Sequence, residues 1–254
     1  LLYINIFFYF IFLFYIFYSM IIKIFGDSHS RIFKKINLDK YNIVVDSISG
    51  ASLSGLFNQN SKLQIKNKII HYLQNNKPSF LILKFGQVDI DLQYYFKIVM
   101  KNQKINKEIY IKNMINNYIK FINEISKIFP KNKIVIYGIN PPSLIDKQKC
   151  FEYTLRIIAE KNINEETKTN LLHNIESIQQ RTSFSKLFND TCKYYCNKNN
   201  IKYTEVFHEM LENNIIMLKY TNNNDHHIKG IENENSNFEP TNSLFKKSLI
   251  NIIQ

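Results

Sequence analysis

The chain has 254 residues, 45% of them apolar and 21% charged, enough for a sizeable core in one large or two small domains and too apolar for a disordered chain. Its three cysteines, Cys150, Cys192 and Cys196, exclude a disulfide-stapled scaffold. The net charge of +12 comes from three arginines (Arg31, Arg156, Arg181) and from lysines spread along the whole chain, which argues against a specific nucleic-acid partner: that would cluster its cations and favour arginine.

Residues 1–22 carry no charge, and the run from Leu1 to Tyr18 is as long as the roughly 20 residues that span a bilayer. Residues 1–19 are read as an apolar segment separate from the domain. A membrane anchor, a signal peptide and a translated upstream region all remain open. The signal peptide is disfavoured because no basic start and no small-residue cleavage site is present. The upstream reading is preferred, because Met20 is the first methionine and a strand follows it at once. A start at Met20 favours a cytoplasmic protein; a real anchor would attach it to a membrane.

From Met20 to Gln254 the punctuation is that of one α/β domain. Short apolar runs at Ile21–Phe25, Ile43–Val45, Phe80–Leu83, Ile134–Tyr137 and Ile201–Val206 read as strands buried on both faces of a parallel sheet. Ile111, Ile115, Tyr118, Ile122, Ile125 and Phe129 recur at helical spacing, as do Phe184, Leu187, Phe188, Thr191 and Tyr195. Leu144–Gln180 reads as a helical excursion. Cys192 and Cys196 fall on one helix face, with no second pair at zinc spacing. The expected fold is a three-layer α/β/α domain with a mostly parallel sheet in flavodoxin-like order.

In such a sheet, ligands bind at the carboxyl ends of the strands. Small, polar and titratable residues collect there: Gly26-Asp27-Ser28-His29-Ser30, then Ser47 to Ser52, Gly86-Gln87-Val88-Asp89, Gly138 to Pro142, and Asn224-Asp225-His226-His227.

These blocks resemble those of the SGNH hydrolases, the GDSL-type esterases and lipases. Gly26-Asp27-Ser28 looks like that family's first block, whose serine is the nucleophile. Ile48-Ser49-Gly50, followed by Ser54-Gly55-Leu56, looks like the second, whose glycine amide helps form the oxyanion hole. Gly86-Gln87-Val88-Asp89 is similar to the third, Gly-x-Asn-Asp, with Val88 where asparagine is expected. The last block is Asp-x-x-His. Here His227 has Asn224 at the expected spacing, and Asp225 is one residue too close. The resemblance runs from Met20 to about Gly230.

The resemblance implies a serine esterase acting on an acyl or acetyl ester of a small molecule, glycan or lipid. An imidazole suits the task of taking the serine proton, and a carboxylate on its far nitrogen fixes the tautomer. The implied roles are Ser28 as nucleophile, His227 as base and Asp225 as its orienter, with Asn224 as the alternative. The oxyanion donors are the Ser28 and Gly50 amides, and Gln87 is the candidate to replace the missing asparagine. Asp27, Gly86 and Asp89 support the site, or Asp89 caps the segment that follows it. His226 reads as a loop neighbour; His71, His173 and His208 read as structural. No organic cofactor is expected, since no nucleotide-binding motif is present. Two rivals stay open. Asp27-x-His29 with His226 and His227 could serve a metal-dependent phosphoesterase, and the departures at Val88 and Asp225 could mark a silent binding module.

Overall fold

The computed structural model describes residues 20–58, 60–158, 163–222 and 224–254. The choice among anchor, leader and upstream translation for residues 1–19 lies outside them. Among the described residues, no helix is long and apolar enough to cross a membrane.

The sheet grows from the apolar runs: β1 (Met20–Gly26), β2 (Tyr41–Ser47), β3 (Phe80–Lys84), β4 (Ile134–Tyr137) and β5 (Lys202–Thr204). Their order is β2-β1-β3-β4-β5, and every neighbouring pair is parallel. This is the flavodoxin-like order. β5 is shorter than the run Ile201–Val206, because Val206 leaves the edge strand and turns into the core.

Successive side chains of a strand point to opposite faces, so the central strands feed two cores. Phe25, Leu81, Leu83, Ile134 and Ile136 face one core; Ile22, Ile24, Ile82, Val135 and Tyr137 face the other. The helices Ile65–Asn75, Lys107–Ile125 and Ile178–Lys198 supply residues to the first core. The 3-10 helix Ser28–Lys35 and the C-terminal helix Glu239–Ile253 supply the second. The result is three layers, with helices on both sides of the sheet.

Local chemistry starts the long helices. The Asn106 side chain accepts the Ile109 N–H ahead of Lys107–Ile125, whose predicted stripe is buried. Ser177 and Gln180 form a reciprocal capping box ahead of Ile178–Lys198. The buried face of that helix runs through Phe184, Phe188, Cys192 and Cys196, while Leu187, Thr191 and Tyr195 lie half-buried on its flank. Both cysteines are free and share the buried face. The excursion resolves into Lys147–Ile158 and Glu165–Asn174, and its last residues begin Ile178–Lys198.

The helix Ile65–Asn75 was not expected from the sequence, nor were two elements near the C-terminus. One is the C-terminal helix, which buries Phe245, Leu249 and Ile253. The other is a small hairpin of β6 (Leu211–Glu212) and β7 (Ile215–Ile216). Asn213 and Asn214 turn it at φ of 51° and 60°, the left-handed conformation that asparagine tolerates and a tight hairpin needs.

Gly86, directly beyond β3, has a φ of +118°, and a Cβ there would run into the Phe188 ring. Gly86→Ala is therefore expected to lower unfolding stability by about 1–3 kcal/mol through overpacking and backbone strain. The measurement is a lowered urea midpoint at unchanged m-value. A midpoint equal to wild type would mean that the loop accommodates the methyl group by shifting.

Candidate active site

The strand register sets the site. Gly26 of β1 pairs with Ser47 of β2 and with Lys84 of β3, so three strands end at one level. Ser28 begins the 3-10 helix that leaves β1. Asp27 caps this helix, its Oδ1 accepting the His29 N–H at 3.0 Å. Asp225 and His227 sit on the loop ahead of the C-terminal helix, 199 residues from Ser28 in the case of His227.

The structure brings all three together. Ser28 Oγ lies 2.7 Å from His227 Nε2, and Asp225 Oδ1 lies 2.6 Å from His227 Nδ1. Although Asp225 is only two residues before His227, it reaches the ring because the loop folds back on itself. The same Oδ1 accepts the His227 N–H at 3.1 Å, a local turn of the kind aspartate favours. Ser143 Oγ, beyond β4, donates to the Asp225 carbonyl at 2.9 Å and holds the loop from outside. Asn224 is exposed.

Burial lowers the His227 pKa; the hydrogen bond and charge of Asp225 pull the other way, and the net position is below 6.5. Burial pushes the Asp225 carboxyl up, but its bonds to His227 hold it below the usual range. The pair therefore presents a neutral imidazole beside an ionised carboxylate. A proton on Nδ1 serves Asp225, which leaves the Nε2 lone pair facing Ser28.

Gly50 sits exposed on the turn after β2 with a φ of +74°. Among the described residues, neither the Ser28 nor the Gly50 backbone N–H has a hydrogen-bond partner, as donors awaiting an oxyanion should not. Gln87 differs from expectation. Its Oε1 accepts the Asn140 N–H at 2.8 Å, which fixes the orientation of the amide. Its two amide hydrogens then go to Asp91 Oδ2 at 2.9 Å and to the Asn140 carbonyl at 3.2 Å. The Gln87 side chain thus has no hydrogen left for an oxyanion.

Asp89 is fully buried and caps an element other than the segment after it. Its carboxylate accepts the Leu53 N–H at 2.6 Å, the Ser54 N–H at 3.0 Å and the Ser54 hydroxyl at 2.8 Å. It ties the loop after β3 to the short helix Leu53–Leu56 that follows the Gly50 turn. Burial raises its pKa, and these three bonds oppose the rise.

Below Ser28 lies a buried polar layer. Burial raises the Asp27 carboxyl to about 7, against the attraction of Lys84, and its Oδ2 has no hydrogen-bond partner among the described residues. Burial lowers the Lys84 ammonium to about 8, against the attraction of Asp27. Lys84 Nζ donates to the Gly138 carbonyl and to Asn140 Oδ1. Two histidines join His227 here. His29 is fully buried, and His226 packs flat on Tyr153 with ring centroids 4.8 Å apart. Sequence reasoning did not single out Tyr153, which lies on the excursion helix and faces the Asp225 carboxylate. His71, His173 and His208 are exposed and away from the site.

His29, His226 and His227 each bring a nitrogen within 4.8 Å of the others. An ion held by imidazoles at about 2.0–2.1 Å needs ring planes that converge on it. His29 and His227 instead lie 28° from parallel, with centroids 4.4 Å apart. A shared ion would require one of them to leave this stack and His227 to leave Ser28.

No protein-family model matches the chain, and no curated protein matches it in sequence. Solved structures do match its fold. An aryl esterase from M. smegmatis aligns over 92% of this chain and 97% of its own, with a TM-score of 0.52 and 8% identity. A Streptococcus pneumonia protein provisionally named as a platelet activating factor aligns over 92% and 83%, with a TM-score of 0.53 and 15% identity. A gut microbial diltiazem-metabolizing enzyme aligns over 92% of this chain and 47% of its own, with a TM-score of 0.53 and 12% identity. At such identities the likeness is one of fold.

Gln87→Ala would leave the buried Asn140 N–H without an acceptor. It is expected to destabilise the protein by about 1–3 kcal/mol, measured by thermal or urea unfolding. Unchanged stability would mean that this lacing between the two loops is dispensable.

Proposed function

We propose that this protein is a serine hydrolase of SGNH type that cleaves carboxylic esters through an acyl-enzyme. The observation that carries the reading is the continuous line from Ser28 Oγ through the His227 ring to Asp225, with both contacts within 2.7 Å. A buried hydroxyl hydrogen-bonded to an oriented, neutral imidazole is an activated nucleophile.

In this mechanism Ser28 Oγ attacks the ester carbonyl carbon while its proton passes to His227 Nε2. The carbonyl oxygen becomes an oxyanion, received by the Ser28 and Gly50 amides. Val88 has no side-chain donor and the Gln87 amide is engaged, so the hole works with backbone donors. Collapse of the intermediate breaks the bond to the alcohol, which leaves with the proton from His227. Water then attacks the acyl-serine by the reverse roles and releases the acid. Asp225 stays ionised and stabilises the imidazolium in both halves. The substrate class is an acyl or acetyl ester of a small molecule, glycan or lipid. Aryl esters are the natural first probe, since one fold neighbour is named for them.

A fluorophosphonate is expected to label wild type at Ser28 and to leave Ser28→Ala unlabelled. On an ester panel, Ser28→Ala and His227→Ala should each lose roughly 10⁴-fold or more in kcat, and the double variant should lose little beyond either. Asp225→Ala should be milder, since orienting carboxylates cost less when removed, and exposed Asn224→Ala should stay close to wild type. Full hydrolysis by Ser28→Ala would overturn the assignment.

The pH dependence has a definite sign. The base must be neutral, so kcat/KM should rise with pH and reach half its plateau at the His227 pKa, below 6.5. Asp225 raises that pKa, so Asp225→Ala should move the limb further down while lowering the plateau. A wild-type limb above 6.5 would contradict the burial argument.

A further inference from the structure

Behind the Ser28–His227 pair stands a column of buried polar groups that the mechanism above leaves without a task. Lys84 Nζ can only donate, and it donates to the Gly138 carbonyl at 2.7 Å and to Asn140 Oδ1 at 3.2 Å. The Asn140 oxygen is thereby turned toward Lys84, and its Nδ2 faces His29 Nδ1 at 3.5 Å. His29 Nδ1 is then the acceptor, and the proton of the neutral ring sits on Nε2, which is buried without a hydrogen-bond partner among the described residues.

Burial, reinforced by the charges of His227, His226, Lys84 and Arg31, holds the His29 pKa well below 6.5. Asp27 touches His29 through the backbone N–H rather than the ring. The His29 ring stacks on His227, and His226 meets both rings edge-on, at 4.6 Å from His29 and 4.3 Å from His227.

We infer that His29 is a positioning residue for His227: the Lys84–Asn140 column keeps it in one neutral tautomer, and its neutral face holds the His227 ring against Ser28 and lets that ring carry a positive charge. The inference rests on the reading of His227 as base. On taking the serine proton, His227 becomes an imidazolium. A neutral ring stacked beneath it attracts that charge, whereas a protonated His29 in the same place would repel it. The other groups on His227 are Asp225, His226, Arg31 and Ser28. None of them depends on the orientation of the Asn140 amide.

The test is Asn140→Asp, alone and in a His29→Phe background. The new carboxylate would draw a proton to His29 Nδ1 and raise its pKa. Nitrogen-15 NMR of the imidazoles in the full chain should find wild-type His29 neutral, with its proton on Nε2, throughout the His227 titration. In Asn140→Asp the proton should move to Nδ1, His29 should titrate at higher pH, and the His227 titration should shift down. Turnover should then fall at least about tenfold with KM within about threefold, the pattern of an interaction realised in the transition state. Phenylalanine offers a neutral face that cannot be protonated, so in the His29→Phe background Asn140→Asp should cost less than about threefold, the non-additivity of a coupled pair.

An equal cost in both backgrounds would overturn the inference, and so would wild-type His29 protonated on Nδ1. Should Asn140→Asp fail to fold, the wild-type tautomer still decides. Should the chain hydrolyse no ester, the NMR arm is unaffected, which separates failure of this inference from failure of the esterase reading.

Discussion

A closed ring of hydrogen bonds between neighbouring loops holds the carboxyl edge of the sheet, and Asp27, Ser28, Gln87, Asp89, Asp225 and His227 are links in it. Ser47 Oγ, at the end of β2, donates to the Asp27 carbonyl after β1. Asp89, after β3, receives Ser54 from the segment after β2. Gln87, also after β3, grips Asn140 after β4. Ser143, further along that loop, binds the Asp225 carbonyl, and His227 returns to Ser28 after β1. Parallel strands make this possible. Each must be reached by a crossover over a face of the sheet, so ends that are distant in sequence arrive side by side.

The ring also accounts for the residues that depart from the SGNH pattern. The stretch that resembles the third block has an aspartate, Asp89, which secures the Gly50 loop by capping Leu53–Leu56. Its asparagine is replaced by Val88, which is buried and apolar. The neighbouring Gln87 turns the other way, into the β4 loop, and secures that instead. The stretch thus serves the architecture of the edge, Asp89 toward the β2 loop and Gln87 toward the β4 loop. The close spacing of Asp225 and His227 is accommodated in the same manner, by a local turn in a loop clamped from outside by Ser143.

The electrostatics beneath the site are those of a place where burial has been taken further than stability alone would favour. Asp27 and Lys84 are both shielded from water, and Asp27 Oδ2 has no hydrogen-bond partner among the described residues. Burying two ionisable groups that make no direct salt bridge to each other costs more than apolar packing would. These groups lie beside Ser28, at the strand ends where Gly26 pairs with Lys84, and perturbed groups concentrate in such places when a site is built for chemistry. The imidazole cluster continues that pattern: the His227 ring contacts Ser28, the His29 ring stacks on it, and His226 meets both edge-on.

The sequence alone determined the sheet. Its five apolar runs, the helical stripe of Lys107–Ile125 and the order of the polar blocks follow from periodicity and from chain punctuation, which are local properties. The C-terminal stripe of Phe245, Leu249 and Ile253 was equally readable and was missed. The grouping of Ser28 with His227 was legible because strand ends in this fold converge. Tertiary structure decided the rest. Asp225 rather than Asn224 meets the imidazole because the loop folds back. Gln87 is engaged because Asn140 arrives opposite it. Asp89 caps Leu53–Leu56, and His29 lies flat beneath His227, because of where neighbouring loops come to rest. Hydrophobic period and residue spacing report which face a side chain takes and which strand end it follows. They carry no information about the partner met across a gap of 35, 53 or 199 residues, and here that partner decides what each polar group can do.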